Sequence, residues 1–377
     1  MDISIQSKHT SLIIGLGKTG CEVAAALNNL SACQNVSLLG IDTDEDDLKA
    51  LARQGLPTLL AGQEATGGHG VLDDQELANA CIADLNDELL EKMEGHRLVI
   101  LIAGLGGCTG SCCEPILKAA EDLAVPSVLL AVEPFPFEGE SRKKRAEECL
   151  NQCDMYCQTI VLAPTQRIFK NLESTPAAQA FAEAIEYLGE AAIALVTPFS
   201  SSPLLNMNPG ILGSLTQEGT PRCHLAVACG DGDSFVTQLI QNLKSQPVFQ
   251  DQQILPCFDH AVALLRVRGT CRQNDLENAL TQIRALLPEC AIETAACLDQ
   301  GMKHEMCLTM LLHTSLDLDQ EGHLPKQSLP VKNEQLQLQF PADERGIFSN
   351  DPPNLHNGID LDIPTFLRRH CTIDRGY

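Results

Sequence analysis

Two apolar segments that run directly into glycine-rich turns constrain the fold of this chain most strongly. SLII (11–14) precedes GLGKTG (15–20) and an alanine-rich stretch, and RLVILIAG (97–104) precedes LGGCTGS (105–111). The order of apolar run, glycine turn and helical pattern is typical of a strand, a tight connection and a helix. The N–H groups of such turns approach phosphate closely, and the start of the following helix adds positive charge. We therefore predict phosphate binding at this point of the fold.

The rest of the first half repeats the alternation of strands and helices. VSLLGIDTD (36–44) and SVLLAVEPFPFEG (127–139) have strand patterns that end in polar loops, and residues 73–94 and 113–123 have helical patterns. This alternation predicts a parallel sheet with helices on both faces. Ligands of such sheets bind at the carboxyl ends of the strands, where these loops lie.

A long amphipathic helix is predicted over residues 175–196, where apolar residues recur at three- and four-residue spacing. Beyond residue 220, strand patterns at 224–230, 260–269 and 305–313 alternate with helical patterns, which indicates a smaller second domain. Residues 316–357 are polar and predict a flexible tether. At its end, LDIPTFLRRH (361–370) is an apolar and basic patch of a kind that binds partner proteins.

Charge and cysteine content exclude several classes of protein. The formal charge of −24 repels nucleic acids and anionic membranes. The amino terminus has no basic-then-apolar secretion signal, and we see no apolar run approaching about 18 residues. We therefore expect a cytosolic protein without membrane insertion, whose 17 cysteines are reduced.

Cys149, Cys153 and Cys157 stand four residues apart in a helical pattern and therefore share one face. Three thiols on one face are compatible with a metal, but no histidine flanks them. Free cysteine usually packs as a small apolar side chain. We predict structural packing here, and no metal site in the chain.

The glycine turns, taken alone, are also compatible with two other nucleotide-binding folds. Asp42 follows Gly20 at the distance expected of the acid that holds a ribose in dinucleotide-binding dehydrogenases. However, such an enzyme has no reason to carry the second turn at 104–111, and the chain reveals no catalytic donor. GKT (17–19) resembles the end of a P-loop, but Leu12 stands where that motif requires glycine.

The second turn resembles the signature of the tubulin and FtsZ superfamily. AGLGGCTGSCCEP (103–115) is similar to AGMGGGTGTGAAP of FtsZ, DTDEDDL (42–48) to NTDAQAL, and PFPFEGESR (134–142) to PFNFEGKKR. AFAEAIEYL (180–188) is similar to AFxxANDVL, and the tail LDIPTFLRR resembles the conserved tail peptide of FtsZ. The resemblance therefore runs from about residue 11 to residue 370.

This resemblance implies an α/β fold of tubulin/FtsZ type with six segments. These are a parallel-sheet GTP-binding domain (9–174), a long central helix (175–196), a catalytic-loop region (197–219), a smaller α+β C-terminal domain (220–315), a flexible linker (316–357) and a partner-binding tail peptide (358–370).

The resemblance also implies GTP or GDP as the ligand, with Mg²⁺ as a candidate companion ion. Glu138 and Arg142 match residues that contact the nucleotide, Phe181 lies against the base, and Glu186 reads the guanine edge. The implied nucleotide-binding residues are Gly17, Lys18, Thr19, Gly20, Cys21, Glu22, Asp44, Gly104, Gly106, Gly107, Cys108, Thr109, Gly110, Glu138, Arg142, Phe181 and Glu186.

The catalytic loop departs from the family pattern. In FtsZ, acids of the motif NVDFADV enter the pocket of the next subunit and orient the attacking water. The matching stretch here contains Asn206, Asn208 and Ile211, so that an amide and an apolar side chain stand where the acids are expected. Asn208 can still hydrogen-bond a water, whereas Ile211 offers neither charge nor hydrogen bond. We predict weak or absent hydrolysis.

Two functions fit this combination. The first is a GTP-dependent cell-division protein that assembles head to tail into slowly turning-over filaments. The second is a non-hydrolysing regulator that co-assembles with an intact FtsZ homologue at the division site. In both, the tail would bind division-site membrane tethers through Asp362, Ile363, Pro364, Phe366, Leu367, Arg368 and Arg369.

Overall fold

The computed structural model describes residues 11–28, 36–163, 176–199, 203–208, 210, 212, 221–315, 355–356 and 359–360. Most of the predicted linker, the partner-binding residues of the tail, and Ile211 lie outside the described residues. Residues 1–326 form one compact unit, and residues 327–377 form a second unit. Within the second unit, β12 (Leu355–His356) pairs with β13 (Ile359–Asp360) in antiparallel orientation.

The first unit contains eleven described strands and eleven described α-helices. The strands are β1 (Ser11–Leu16), β2 (Val36–Asp42), β3 (Thr58–Leu60), β4 (Val99–Gly104), β5 (Ser127–Val132), β6 (Thr159–Ala163), β7 (Pro203–Leu205), β8 (Arg222–Gly230), β9 (His260–Val267), β10 (Ala291–Leu298) and β11 (Met306–His313). The helices are α1 (Gly17–Leu27), α2 (Glu45–Ala52), α3 (Gln63–Thr66), α4 (Gln75–Ala83), α5 (Asn86–Met93), α6 (Cys113–Asp122), α7 (Glu140–Cys153), α8 (Ala177–Ala194), α9 (Phe235–Ser245), α10 (Pro247–Gln250) and α11 (Gln273–Leu286).

The first six strands form a parallel sheet in the order β3-β2-β1-β4-β5-β6. From β1 the chain adds strands β2 and β3 on one side of the sheet, and from β4 it adds β5 and β6 on the other side. The loops after β1 and β4 therefore leave the sheet in opposite directions. A crevice therefore opens between them at the carboxyl ends, which is where open α/β sheets bind ligands.

Both faces of this sheet are covered, which explains why its central strands are apolar without interruption. Leu101 of β4 packs into one core with helices α4 to α7, whereas its neighbours Ile100 and Ile102 pack into the opposite core with α1 and α8. Successive side chains of a strand point to opposite faces, so one continuous run of apolar residues supplies both cores. The predicted α/β class with helices on both faces is confirmed.

The second half of the unit has a mixed sheet. β8 and β9 each pair antiparallel with β11, β9 pairs parallel with β10, and β7 pairs antiparallel with β10. A third core lies between these strands and helices α9 and α11. β8 also pairs with β6, so the described strands form one 11-stranded sheet across the predicted domain boundary.

The central helix, predicted over 175–196, spans Ala177–Ala194. Its face bearing Ala184, Leu188 and Ala192 is buried, as the periodicity predicted, whereas Phe181 is 52% exposed. The segment 73–94, predicted as one helical stretch, is two helices, α4 and α5. The N–H of Leu85 bonds to the carbonyl of Ile82, and this tighter turn separates them.

The prediction that all thiols are reduced is wrong for one pair, because Cys229 and Cys307 form a disulfide. They stand directly opposite each other on the antiparallel strands β8 and β11, with their Cα atoms 4.2 Å apart. Cys149, Cys153 and Cys157 are buried, in agreement with structural packing. However, the thiols of Cys113, Cys149 and Cys153 lie within 4.8 Å of one another, a grouping that the spacing did not predict.

A buried ion-pair network joins the central helix to the second half of the sheet. The guanidinium of Arg266 on β9 lies 2.6 Å from Glu190 of α8 and 2.7 Å from Asp299, which directly follows β10. Arg266 is 3% exposed and Asp299 is 7% exposed, so solvent screens this ion pair very little.

We predict that Arg266→Leu lowers the free energy of unfolding by about 3–5 kcal/mol, because two carboxylates lose their buried partner. Arg268→Leu is the matched control: its pair with Glu305 is partly exposed, so the loss should stay within about 1 kcal/mol. Urea unfolding of both variants measures the difference. Equal losses of unfolding free energy in the two variants would show that burial does not increase the contribution of Arg266 to stability.

Candidate nucleotide site

The two predicted glycine turns lie in contact at the carboxyl ends of β1 and β4. A Cβ on Gly20 would lie 2.2 Å from the carbonyl oxygen of Ile102, and one on Gly110 would lie 2.1 Å from that of Gly104. Gly17 has φ +67° and would meet the backbone N of Gly110 at 3.0 Å. Glycine is therefore required at Gly17, Gly20 and Gly110 for the backbones to approach this closely.

The second turn has a different requirement at its tip. The N–H of Gly106 donates to Ser111 Oγ at 2.9 Å, which closes the turn around a short 3₁₀ helix, Thr109–Ser111. A Cβ on Gly107 would meet nothing within 4 Å. The N–H groups of Gly107 and Cys108 do not donate to any residue that the structure describes. The tip therefore offers open space and backbone donors, as phosphate binding requires.

The hydroxyl oxygens of Thr43 and Thr109 lie 2.9 Å apart and link this turn to the end of β2. The side chain of Thr19, the last residue before Gly20, packs against Gly104. A Cβ on Gly104 would lie 2.8 Å from the Cβ and Oγ1 atoms of Thr19. The loops after β1, β2 and β4 therefore form one connected surface.

Glu138 and Arg142, both predicted to bind nucleotide, form an ion pair with each other. One turn further along α7, Arg145 donates to the carbonyl of Gly106 and to the carboxylate of Asp73, both at 2.7 Å. The hydrogen bond from Arg145 lowers the pKa of the Asp73 carboxyl. Sequence reasoning missed Arg145 and Asp73, although its three-residue spacing from Arg142 placed Arg145 on the same side of a helix.

An aromatic group lies at the start of the central helix. The rings of Phe135 and Phe137 stack with centroids 4.8 Å apart, and Phe181 contacts Phe135 edge-on at 6.1 Å. Phe137 is 80% exposed and Phe181 is 52% exposed. Flat apolar surfaces of this kind suit a purine base. The sequence predicted Phe181 but not its two neighbours, which lie in the loop after β5.

The first turn carries acidic neighbours. Lys18 pairs with Asp47 of α2 at 3.4 Å. Burial raises the pKa of the Glu22 carboxyl, while Lys18 lowers it and Asp47 raises it. Cys21 is fully buried and directs its thiol to the carbonyls of Gly15 and Ile41, and burial raises its pKa. The side chain of Cys21 therefore faces the protein interior.

The two acidic side chains at the end of β2 accept hydrogen bonds from backbone N–H groups of the protein. Asp42 is 5% exposed and accepts from the N–H of Thr43, and burial raises the pKa of its carboxyl. A ribose-binding acid has to face its ligand, so this geometry argues against the dinucleotide alternative. Asp44 caps α2 by accepting from the N–H groups of Asp46 and Asp47.

The remaining predicted residues lie on the central helix and after it. Glu186 pairs with Lys303 at 2.6 Å, and both side chains are well exposed. Asn206 and Asn208 are exposed, and the side-chain oxygen of Asn208 accepts from the N–H of Gly210 at 3.0 Å.

The part of the chain with this site matches a known family. Residues 10–173 match the model described as Tubulin/FtsZ family, GTPase domain. The chain is 26% identical over 250 residues to the cell division protein FtsZ of Helicobacter pylori, a match that covers 64% of this chain and 63% of that protein. It is 26% identical over 216 residues to FtsZ 1 of Pyrococcus furiosus, which covers 57% of each. The chain thus spans roughly three fifths of the length of these relatives.

Solved structures show the same fold. An empty FtsZ dimer from M. jannaschii has a TM-score of 0.71 at 19% identity and covers 82% of this chain and 89% of its own. CetZ2 from Haloferax volcanii has a TM-score of 0.63 at 18% identity and covers 80% and 92%.

Fold and site together define a protein with a tubulin-type GTPase domain. Over residues 10–173 the chain is similar to the GTPase domain of the Tubulin/FtsZ family, and it resembles a divergent FtsZ protein. Among the helices that the structure describes, none is long and apolar enough to cross a bilayer.

We predict that alanine substitution destabilises the protein at one glycine of the second turn but not at another. Gly110→Ala should lower the free energy of unfolding by about 1–3 kcal/mol or more, because its Cβ meets a carbonyl oxygen. Gly107→Ala should change it by no more than about 0.5 kcal/mol, because its Cβ enters open space. Thermal and urea unfolding test the pair. Comparable destabilisation of both variants would contradict the described packing of the turn.

Proposed function

We propose that this protein binds GTP at the two glycine turns and assembles head to tail into filaments as an FtsZ-like cell-division protein. The observation that carries the proposal is the close contact of the turns, with open space and backbone donors at Gly107 and Cys108. The matched GTPase family and the CetZ2 structure, described as a protofilament with GTPγS bound, support the same ligand and the same kind of assembly.

In this proposal, each part of the nucleotide has its own contacts. The phosphates would bind to backbone N–H groups of the two turns, from Gly17 to Gly20 and from Gly107 to Gly110. The ribose would lie at the ion pair of Glu138 and Arg142. The base would stack near Phe181 and the loop aromatics. Mg²⁺, when bound with the nucleotide, would neutralise phosphate charge.

Guanine would be selected by Glu186, because a carboxylate accepts hydrogen bonds from the ring N–H and the amino group of guanine. Glu186 is paired with Lys303, whose side chain is 71% exposed. Such a surface pair contributes at most about 1 kcal/mol, so the paired N–H groups of guanine can replace it. Lys303 then remains in solvent.

Hydrolysis would be slow. In the assembled filament, the loop containing Asn206 and Asn208 would face the neighbouring subunit's nucleotide. The side-chain oxygen of Asn208 accepts from the N–H of Gly210, and an amide provides no negative charge to polarise water. Ile211 offers no polar group at all.

The altered loop also supports the second role, that of a regulator that co-assembles with an intact FtsZ homologue. A subunit with an intact nucleotide face and a defective loop would stabilise one interface when it joins filaments of an intact homologue. The tail residues 362–369 would anchor either kind of filament to division-site membrane tethers in the cytoplasm.

We predict that Arg142→Ala weakens GTP binding by about tenfold or more, which corresponds to the loss of a hydrogen bond from a charged guanidinium to a ribose oxygen. Lys144→Ala on the same helix is the control, since Lys144 is well exposed and pairs only with Glu148 at 3.6 Å among the described residues. Equilibrium binding of a fluorescent GTP analogue measures both. Unchanged affinity in Arg142→Ala would sink the ribose assignment.

We predict that the purified protein pellets with GTP but not with GDP or without nucleotide, and releases little phosphate. Asn208→Asp combined with Ile211→Asp should raise phosphate release by at least about tenfold in the polymer. Sedimentation and phosphate release across a concentration series test both statements. If the wild type shows GTP binding but no polymer, the regulator role is favoured, and an intact homologue is added next. Polymer of the double variant that remains inactive would show that the loop is not limiting.

A further inference from the structure

A second group of metal-ligating side chains lies far along the chain from the nucleotide turns. β8 ends at Gly230 and β11 begins at Met306, and their antiparallel pairing brings these ends together. Cys229 and Cys307 are opposite each other in the register. One atom from each of Cys229, His304 and Cys307 lies within 4.8 Å of the other two. The motifs Cys-Gly-Asp (229–231) and His-Glu-Met-Cys (304–307) supply the group.

These donors have the chemistry of a zinc site. Two cysteine sulfurs and one imidazole are a ligand set that Zn²⁺ prefers, and three protein ligands leave the fourth tetrahedral position for water. Asp231 Oδ2 lies 2.8 Å from His304 Nδ1. A carboxylate in this position accepts the ring N–H, which leaves Nε2 as the ligating nitrogen and orients the ring.

The location favours exchange of a metal with solvent. Cys307 is buried and Cys229 is half-buried, while the side chains of His304 and Asp231 are 28% and 51% exposed. The other thiol group, Cys113, Cys149 and Cys153, is buried at all three residues and has no histidine. Three thiolates in that core would lack compensating charge, so the strand-end group is the better site.

We propose that the reduced protein binds one Zn²⁺ through Cys229, His304 and Cys307, with Asp231 as the residue that positions His304. In the structure the two sulfurs are bonded to each other, and a disulfide supplies no thiolate. Disulfide and metal are therefore alternative states of the same two residues. Binding to the dithiol releases the thiol protons, so the affinity should rise with pH.

The test uses the full-length protein in both redox states. We expect the protein reduced with a phosphine and desalted without oxygen to bind one Zn²⁺ per chain in competition with a chromophoric chelator. We expect Co²⁺ to give the visible spectrum of a tetrahedral ion with sulfur-to-metal charge transfer from two thiolates. The disulfide form should bind neither ion at the same concentrations. Absence of the Co²⁺ spectrum in the reduced wild type would overturn the proposal.

Variants locate the site. Cys307→Ser and His304→Gln should each weaken Zn²⁺ binding by more than 100-fold, and Asp231→Asn by about 10–100-fold. Cys257→Ser, which changes a half-buried cysteine outside the group, should bind as the wild type does. His304 and Asp231 are partly exposed, so these variants remain informative if Cys307→Ser does not fold. Undiminished binding in His304→Gln would place the metal elsewhere and refute the assignment.

Discussion

The contact between the two glycine turns determines the arrangement of the whole carboxyl edge of the sheet. Because Gly20 lies against Ile102 and Gly17 against Gly110, the start of α1 and the turn after β4 are held side by side. Thr109 then reaches Thr43 at the end of β2, and Gly106, with φ +95°, lies under Arg142 of α7. A side chain at Gly20 or Gly110 would push these backbones apart. The shape of the site therefore depends first on backbone packing and only then on the functional side chains.

Those parts of the fold that depend on local pattern could be predicted from the sequence. Uninterrupted apolar strands such as β4 and β5 require cover on both faces, and the structure places one core on each side of them. The periodicity of the central helix identified Leu188 and Ala192 as buried positions. The glycine turns were recognisable because the chemistry of close backbone approach leaves few other residues acceptable.

Contacts between distant segments could not be predicted, since they depend on strand order and register. Lys303 stands 117 residues from Glu186, and Asp73 stands 72 residues from Arg145, yet each pair is in contact. The disulfide between Cys229 and Cys307 follows from one antiparallel register, which no local motif contains. The same register creates the proposed zinc ligands. The pairing of β6 with β8 likewise joins the two predicted domains in one sheet, although the sequence pattern indicated a boundary between them.

Under the proposed function, the electrostatics around the turns require backbone donors to dominate phosphate binding. Three cations lie near the turns, and each has an acidic partner: Lys18 with Asp47, Arg142 with Glu138, and Arg145 with Asp73. A nucleotide would therefore gain little net positive charge from side chains, in a chain of formal charge −24. Among the described residues, the N–H groups of Gly107 and Cys108 have no acceptor, and the first turn of α1 contains no acidic residue. Under the proposed function, phosphate contacts would therefore depend more on glycine at these turns than on the cations around them.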